Sequence, residues 1–147
     1  MHLHPIVGRM LLEAGAEHGL PAVRIPAEPP HVMLACGTPQ GLGERALYAG
    51  TRVLRAQARR AGVRTNDHAF GIAWSGHMTS DRIVRLAKHL PPGLSEIYFH
   101  PATRQNALLT RLMPGYEHEA ELAALTDPAV QAALDGVGAT RTTYDVL

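Results

Sequence analysis

Four short stretches hold the side chains that could do chemistry. The chain opens "MHLHP", and His2 and His4 would share one face of a β-strand because side chains alternate with period two. Two imidazoles so placed have the spacing of a pair of metal ligands, but the spacing places no third. Glu28 ends "RIPAE", Trp74, Ser75 and Gly76 form "WSG", and His100 stands before a proline in "EIYFHPA". Carboxylates and imidazoles move protons near neutral pH, and an indole ring can stack on a sugar. Cys36 is the only cysteine, which excludes an intrachain disulfide or a cysteine-based zinc site and suits a reducing compartment. It has no base beside it in sequence, so it is a poor nucleophile. No G-x-S-x-G, Walker A or dinucleotide fingerprint is present.

These residues need elements to hold them. Pro5 suits a first helical position, and Ile6, Val7, Met10, Leu11 and Ala14 follow on one face, with Gly19 as the stop. Pro21–Pro26 reads as a strand and Ala27–Gly43 as a Pro/Gly-rich loop. Leu47, Gly50, Leu54, Ala58 and Ala61 make the apolar stripe of a helix over Glu44–Ala61. Its Arg45, Arg52, Arg55 and Arg59 lie off the stripe as a solvated face. His68–Trp74 is the next strand, and Thr79 or Ser80 caps a helix that runs to Leu90 and breaks at "PPG". Glu96–Pro101 is the clearest strand. A long loop reaches Tyr116, helices follow at His118–Leu125 and Ala129–Leu134 (the second capped by Asp127), and Thr140–Tyr144 is a candidate final strand.

Alternating strands and helices imply an α/β fold with a parallel sheet and right-handed crossovers. A barrel, or part of one, is the expected architecture, with an open doubly wound sheet as the competitor. In such barrels the chemistry gathers at the C-terminal ends of strands. His2 and His4, Glu28, Trp74–Ser75–Gly76 and His100 all fall at expected strand ends.

The bulk composition narrows the class. The 147 residues suit one domain, and 46% apolar with 18% charged residues describes a globular chain. A formal charge of +1 gives no field for gathering polyanions, so a nucleic-acid partner is not expected. No apolar run approaches the ~20 residues of a transmembrane helix. No signal-peptide pattern opens the chain, and a cytoplasmic location is expected.

The segments "HLHP", "GLPAVRIPAEPP", "GVRTNDHAFGIAWSGHMT", "LPPGLSEIYFHPAT" and "LTDPAVQAAL" stand in the order seen in YdjC-like carbohydrate deacetylases. They most resemble the hopanoid-biosynthesis-associated branch (HpnK), sister to the chitooligosaccharide deacetylases (ChbG). The resemblance implies a distorted, TIM-like β/α barrel. It also implies hydrolytic removal of an N-acetyl group from a sugar or glycolipid head group, assisted by Mg²⁺ or Zn²⁺. In the family one Asp, from an N-terminal Asp-Asp pair, and two His hold the metal. Aligning the branch motif H-x-H-x-H-x-H-P from its proline puts its last two histidines at His4 and His2. Its metal-binding histidine then falls before Met1. Residues 1–147 are therefore expected to be the C-terminal portion of one deacetylase domain, lacking the N-terminal half, binding no metal alone and inactive alone.

The resemblance makes His100 the catalytic residue, an acid toward the leaving amine. It leaves His2, His4, Arg24, Asp67, His68 and Trp74 as substrate-side residues and assigns no metal ligand. An acetylated sugar or glycolipid is the expected partner, with a homodimer also admitted. The alternative is a non-catalytic remnant of the barrel that binds a sugar or a protein partner.

Overall fold

The structure is a computed structural model and describes residues 5–144. Its central rail is the segment 64–70, made of β2 (Arg64–Thr65) and β3 (His68–Phe70). On one side β1 (Ala22–Val23) runs parallel to β2, with Ala22 opposite Arg64. On the other side β4 (Ser95–Ile97) runs parallel to β3, with His68 opposite Ser95 and Phe70 opposite Ile97. The Ala69 N–H donates to Ala27 O at 3.0 Å, so the chain beyond β1 stays beside β3. Parallel neighbours in consecutive order belong equally to a barrel wall and to one wing of an open sheet. The described strands extend no further than this arc.

The rail is interrupted at Asn66, and the Asn66 side chain repairs the gap. It is fully buried. Its Oδ1 accepts from Ile25 N–H at 2.6 Å, and its Nδ2 donates to Ile25 O at 2.9 Å and His68 O at 2.7 Å. A carboxamide carries both a donor and an acceptor, so it can replace a missing ladder rung.

Two apolar clusters flank the strands. α1 (Pro5–Glu17) and α3 (Leu42–Arg60) pack together over Leu12, Ile25, Ala27, Leu54, Ala58 and Val63. The larger cluster joins Phe70 of β3 to α2 (Pro30–Ala35), α4 (Ser80–Ala87), α6 (His118–Leu125) and α7 (Pro128–Gly136). Its members include Val32, Met33, Cys36, Trp74, Met78, Ile83, Leu86, Ala124 and Val130. Among the described residues no helix is long and apolar enough to cross a membrane.

Several elements differ from expectation. The expected loop over Ala27–Gly43 contains α2, because Pro30 occupies the first turn, where a missing N–H costs nothing. The expected loop after His100 contains α5 (Ala107–Leu112), capped by the Asn106 side chain accepting from Leu109 N–H at 3.0 Å. The buried stripe of α3 is Thr51, Leu54 and Ala58, because the first turns run past the surface on which the helix packs. Leu47 is 48% exposed.

Thr140–Tyr144 is not a strand. An open groove of about 1280 Å³, with Ile97, Phe99, Leu134 and Val137 in its walls, separates this segment from β4. A side chain makes the link instead, the Tyr144 hydroxyl donating to the Glu96 carboxylate.

Two outcomes follow from these contacts. Asn66→Ala strands the Ile25 N–H in the interior, while Ile25 O keeps the Ala27 N–H, and should lower unfolding free energy by about 2 kcal/mol in urea denaturation. Burial, followed by the bond to Glu96, pushes the Tyr144 phenol up to about 12. Its folded value lies above its unfolded one, so the tether is intact below about pH 10 and is lost as pH rises through about 12. A spectrophotometric phenol titration should show a high-pH step that is absent in Tyr144→Phe.

Candidate active site

The C-terminal ends of the strands converge on one edge, and two carboxylates organise it. The first is Glu28, which follows β1. Its Oε1 accepts from the N–H groups of Gly71 at 2.9 Å and Ile72 at 3.1 Å, and its Oε2 from Ala73 N–H at 2.9 Å. Burial pushes the Glu28 carboxyl up, and the three N–H groups oppose that shift. The turn it holds leaves β3 through Gly71, at φ +114°, where an added Cβ would lie 2.8 Å from Tyr98 O. Only glycine allows that approach without strain.

This turn delivers Ser75 and Gly76. Gly76 has φ +80°, and a Cβ there would stand 2.3 Å from the Tyr116 ring. Tyr116 therefore packs on bare backbone, and its hydroxyl meets Ser75 Oγ at 2.8 Å. The Glu117 N–H donates to Gly76 O at 2.7 Å, which fixes the start of α6 against the turn.

The second carboxylate is Glu121 on α6, with no exposed surface. Its Oε1 accepts from Met78 N–H at 3.0 Å, and its Oε2 accepts from His100 N–H. One turn earlier on the same helix, His118 Nδ1 bonds the carbonyl of His100. A carbonyl can only accept, so His118 carries its hydrogen on Nδ1. Both main-chain groups of His100 are thus held from α6, by residues three apart on one helical face.

The His100 ring lies edge-on to two phenols, with centroids 5.4 Å from Tyr98 and 5.1 Å from Tyr116. Its side chain is 31% exposed, while Nδ1 is sealed from solvent and has no hydrogen-bond partner. Nε2 is then the ring nitrogen open to a ligand. Burial pushes the Tyr98 phenol up, against a smaller opposing effect of the Ser75 hydroxyl. His77 stands 3.4 Å from Glu117 at the rim. The edge therefore offers one imidazole nitrogen beside two phenol rings and the Ser75–Tyr116 hydroxyl pair. That set suits hydrogen bonding to a polyol together with a proton transfer.

The other expected site residues are distributed unevenly. Arg24 reaches this edge indirectly, since it pairs with Glu96 and lies 5.2 Å over the Tyr98 ring. Trp74 is adjacent but buried in the larger cluster; its Nε1–H donates to Thr38 Oγ1 at 2.8 Å, and Arg82 lies 5.5 Å over the ring. It presents no open face for stacking.

Asp67 and His68 sit at the opposite end of the rail, where β3 begins. Asp67 Oδ2 accepts from Leu94 N–H at 2.9 Å, and its carbonyl accepts from Arg55 Nη2 at 2.6 Å. Burial pushes the His68 imidazole down. The structure does not bring these two to His100. His2 and His4 lie outside the described residues. Among the described residues no three His, Cys, Asp or Glu side chains form a group able to hold a metal.

Sequence reasoning missed Tyr98, Tyr116, His118 and Glu121. Tyr98 had a signal, because it alternates with His100 in "EIYFHP" and so falls on the same strand face. His118 and Glu121 read as the polar surface of an ordinary helix, and their partners are backbone groups that a sequence does not advertise.

The chain was compared with known proteins. No curated protein and no solved structure matches it. A family model described as YdjC-like protein matches residues 1–136, a span that contains Glu28, the Gly71–Gly76 turn, His100, Tyr116, His118 and Glu121. The chain belongs to the YdjC-like family.

Proposed function

We propose that the edge around His100 is the leaving-group side of a hydrolytic N-deacetylation site for an acetylated sugar or glycolipid head group. Membership of the YdjC-like family points to carbohydrate deacetylation. The observation that carries the reading is His100 itself. Its main chain is fixed on both sides, one ring nitrogen is sealed, and the ring stands against a wall formed by the Tyr98 and Tyr116 rings. In amide hydrolysis a water attacks the acetyl carbon, the C–N bond breaks, and the departing nitrogen must gain a proton. His100, as the imidazolium, gives that proton from Nε2; the proton lost by the attacking water replaces it, and the products are acetate and the free amine.

Tyr98, Tyr116 and Ser75 are the sugar-facing hydroxyls of this reading. Arg24 supports Tyr98 from behind. His2 and His4 remain substrate-side residues by resemblance, Trp74 supports the wall from the core, and Asp67 and His68 brace the far end of the rail. The divalent metal implied by the resemblance has no three-ligand set among the described residues. A hopanoid-type glycolipid is the finer form of the substrate proposal, and a homodimer remains part of it.

Acetate release from N-acetylglucosamine oligomers and N-acetylglucosaminyl lipids, with Mg²⁺, Zn²⁺ or a chelator, tests the reading. His100→Gln should cut kcat by roughly 10²–10⁴-fold, the range of general acid–base catalysis, with KM little changed. Saturable sugar binding without acetate release under any metal condition would favour a sugar-binding module over an enzyme.

A further inference from the structure

Glu121 has no exposed surface and accepts two backbone N–H groups, yet a buried carboxylate gains most from a partner that brings charge or a polar hydrogen. Its Oε2 is 3.9 Å from His100 Nδ1, beyond a hydrogen bond but with nothing polar bonded to either atom's free side. Nδ1 is closed to water, so an N–H there can be satisfied only from within the protein. The other groups around the ring do not compete. Tyr98 and Tyr116 present ring edges and faces. His118 has committed its Nδ1–H to the His100 carbonyl. His77 is turned to Glu117, and the Ser75 hydroxyl to Tyr116.

We infer that Glu121 is the positioning residue of His100: it holds the imidazole as the Nδ1–H tautomer and so presents Nε2 to the ligand. The hydrogen a neutral histidine keeps is set by the bond its other nitrogen makes, and here the buried carboxylate makes that choice. A ring shift of about 1 Å closes the 3.9 Å gap to hydrogen-bonding range. In the closed form an imidazolium produced by proton uptake at Nε2 is stabilised by a carboxylate already in place. That is what a group cycling between acid and base forms requires. The inference rests on the proposed function for its catalytic meaning, and the tautomer it names stands independently of that reading.

Two-dimensional ¹H–¹⁵N correlation through the imidazole rings of the uniformly labelled 147-residue chain at neutral pH tests it, with His100 assigned by its loss in His100→Gln. The expected result is a hydrogen on Nδ1 and a free, pyridine-like Nε2. In Glu121→Gln this pattern should give way to the Nε2–H form or to a mixture. An Nε2–H tautomer in the unsubstituted chain would overturn the inference, as would an unchanged Nδ1–H pattern in a folded Glu121→Gln. Should that variant fail to fold, the unsubstituted chain decides alone. The reading needs no turnover. A correct tautomer with no acetate release would therefore remove the proposed function and leave the positioning role.

Discussion

A carboxylate without exposed surface must find its hydrogen bonds inside the protein, and the placement of Glu121 follows from that demand. It draws in the Met78 N–H, which precedes α4, and the His100 N–H, three residues beyond the end of β4. A buried acceptor left without donors is destabilising by about 1–3 kcal/mol or more, so the two segments cannot drift from the helix that carries it. His118 adds the carbonyl side of the same clamp. The orientation of His100, the seating of Tyr116 over Gly76 and the closure of the larger apolar cluster all depend on α6 staying where this interaction puts it.

Glu28 plays the matching part on the other side of the edge, with the same chemistry. Neither acid is matched by a lysine or arginine. Each is solvated by peptide N–H groups, three for Glu28 and two for Glu121. Backbone donors fix position more sharply than a flexible cationic side chain would, because the peptide unit has few ways to move. The site thus keeps two acids at its base without a compensating cluster of basic residues, which agrees with a formal charge of only +1.

How far the sequence could be read depended on the kind of signal. Periodicity found α1, α3 and α4, because each repeats apolar residues at helical spacing, and the Asp127 cap with Pro128 marked the start of α7. It failed where proline has two meanings. Pro29–Pro30 looked like punctuation, yet Pro30 opens α2. Thr140–Tyr144 carried a strand-like run of β-branched residues, but a strand needs a neighbour to bond, and a groove stands between this segment and β4. At the site, His100 was readable from its place before a proline at the end of an apolar strand. Asp67 was not, because its bonds to Leu94 N–H and Arg55 belong to the opposite end of the rail. Glu121 was hidden for a different reason: nothing in "HEAEL" separates an acid that faces solvent from one that faces a peptide N–H.

The bonds that build the site also join distant parts of the chain. Glu28 holds Gly71 across 43 residues, Glu121 holds Met78 across 43 and His100 across 21, and Asn66 holds Ile25 across 41. Closing such loops is entropically unfavourable before any contact rewards it, and contacts of this separation slow folding. These bonds cannot form as local structure in the unfolded chain. The arrangement around His100 comes into being with the whole fold, so its integrity measures the cooperativity of the domain as well as its chemistry.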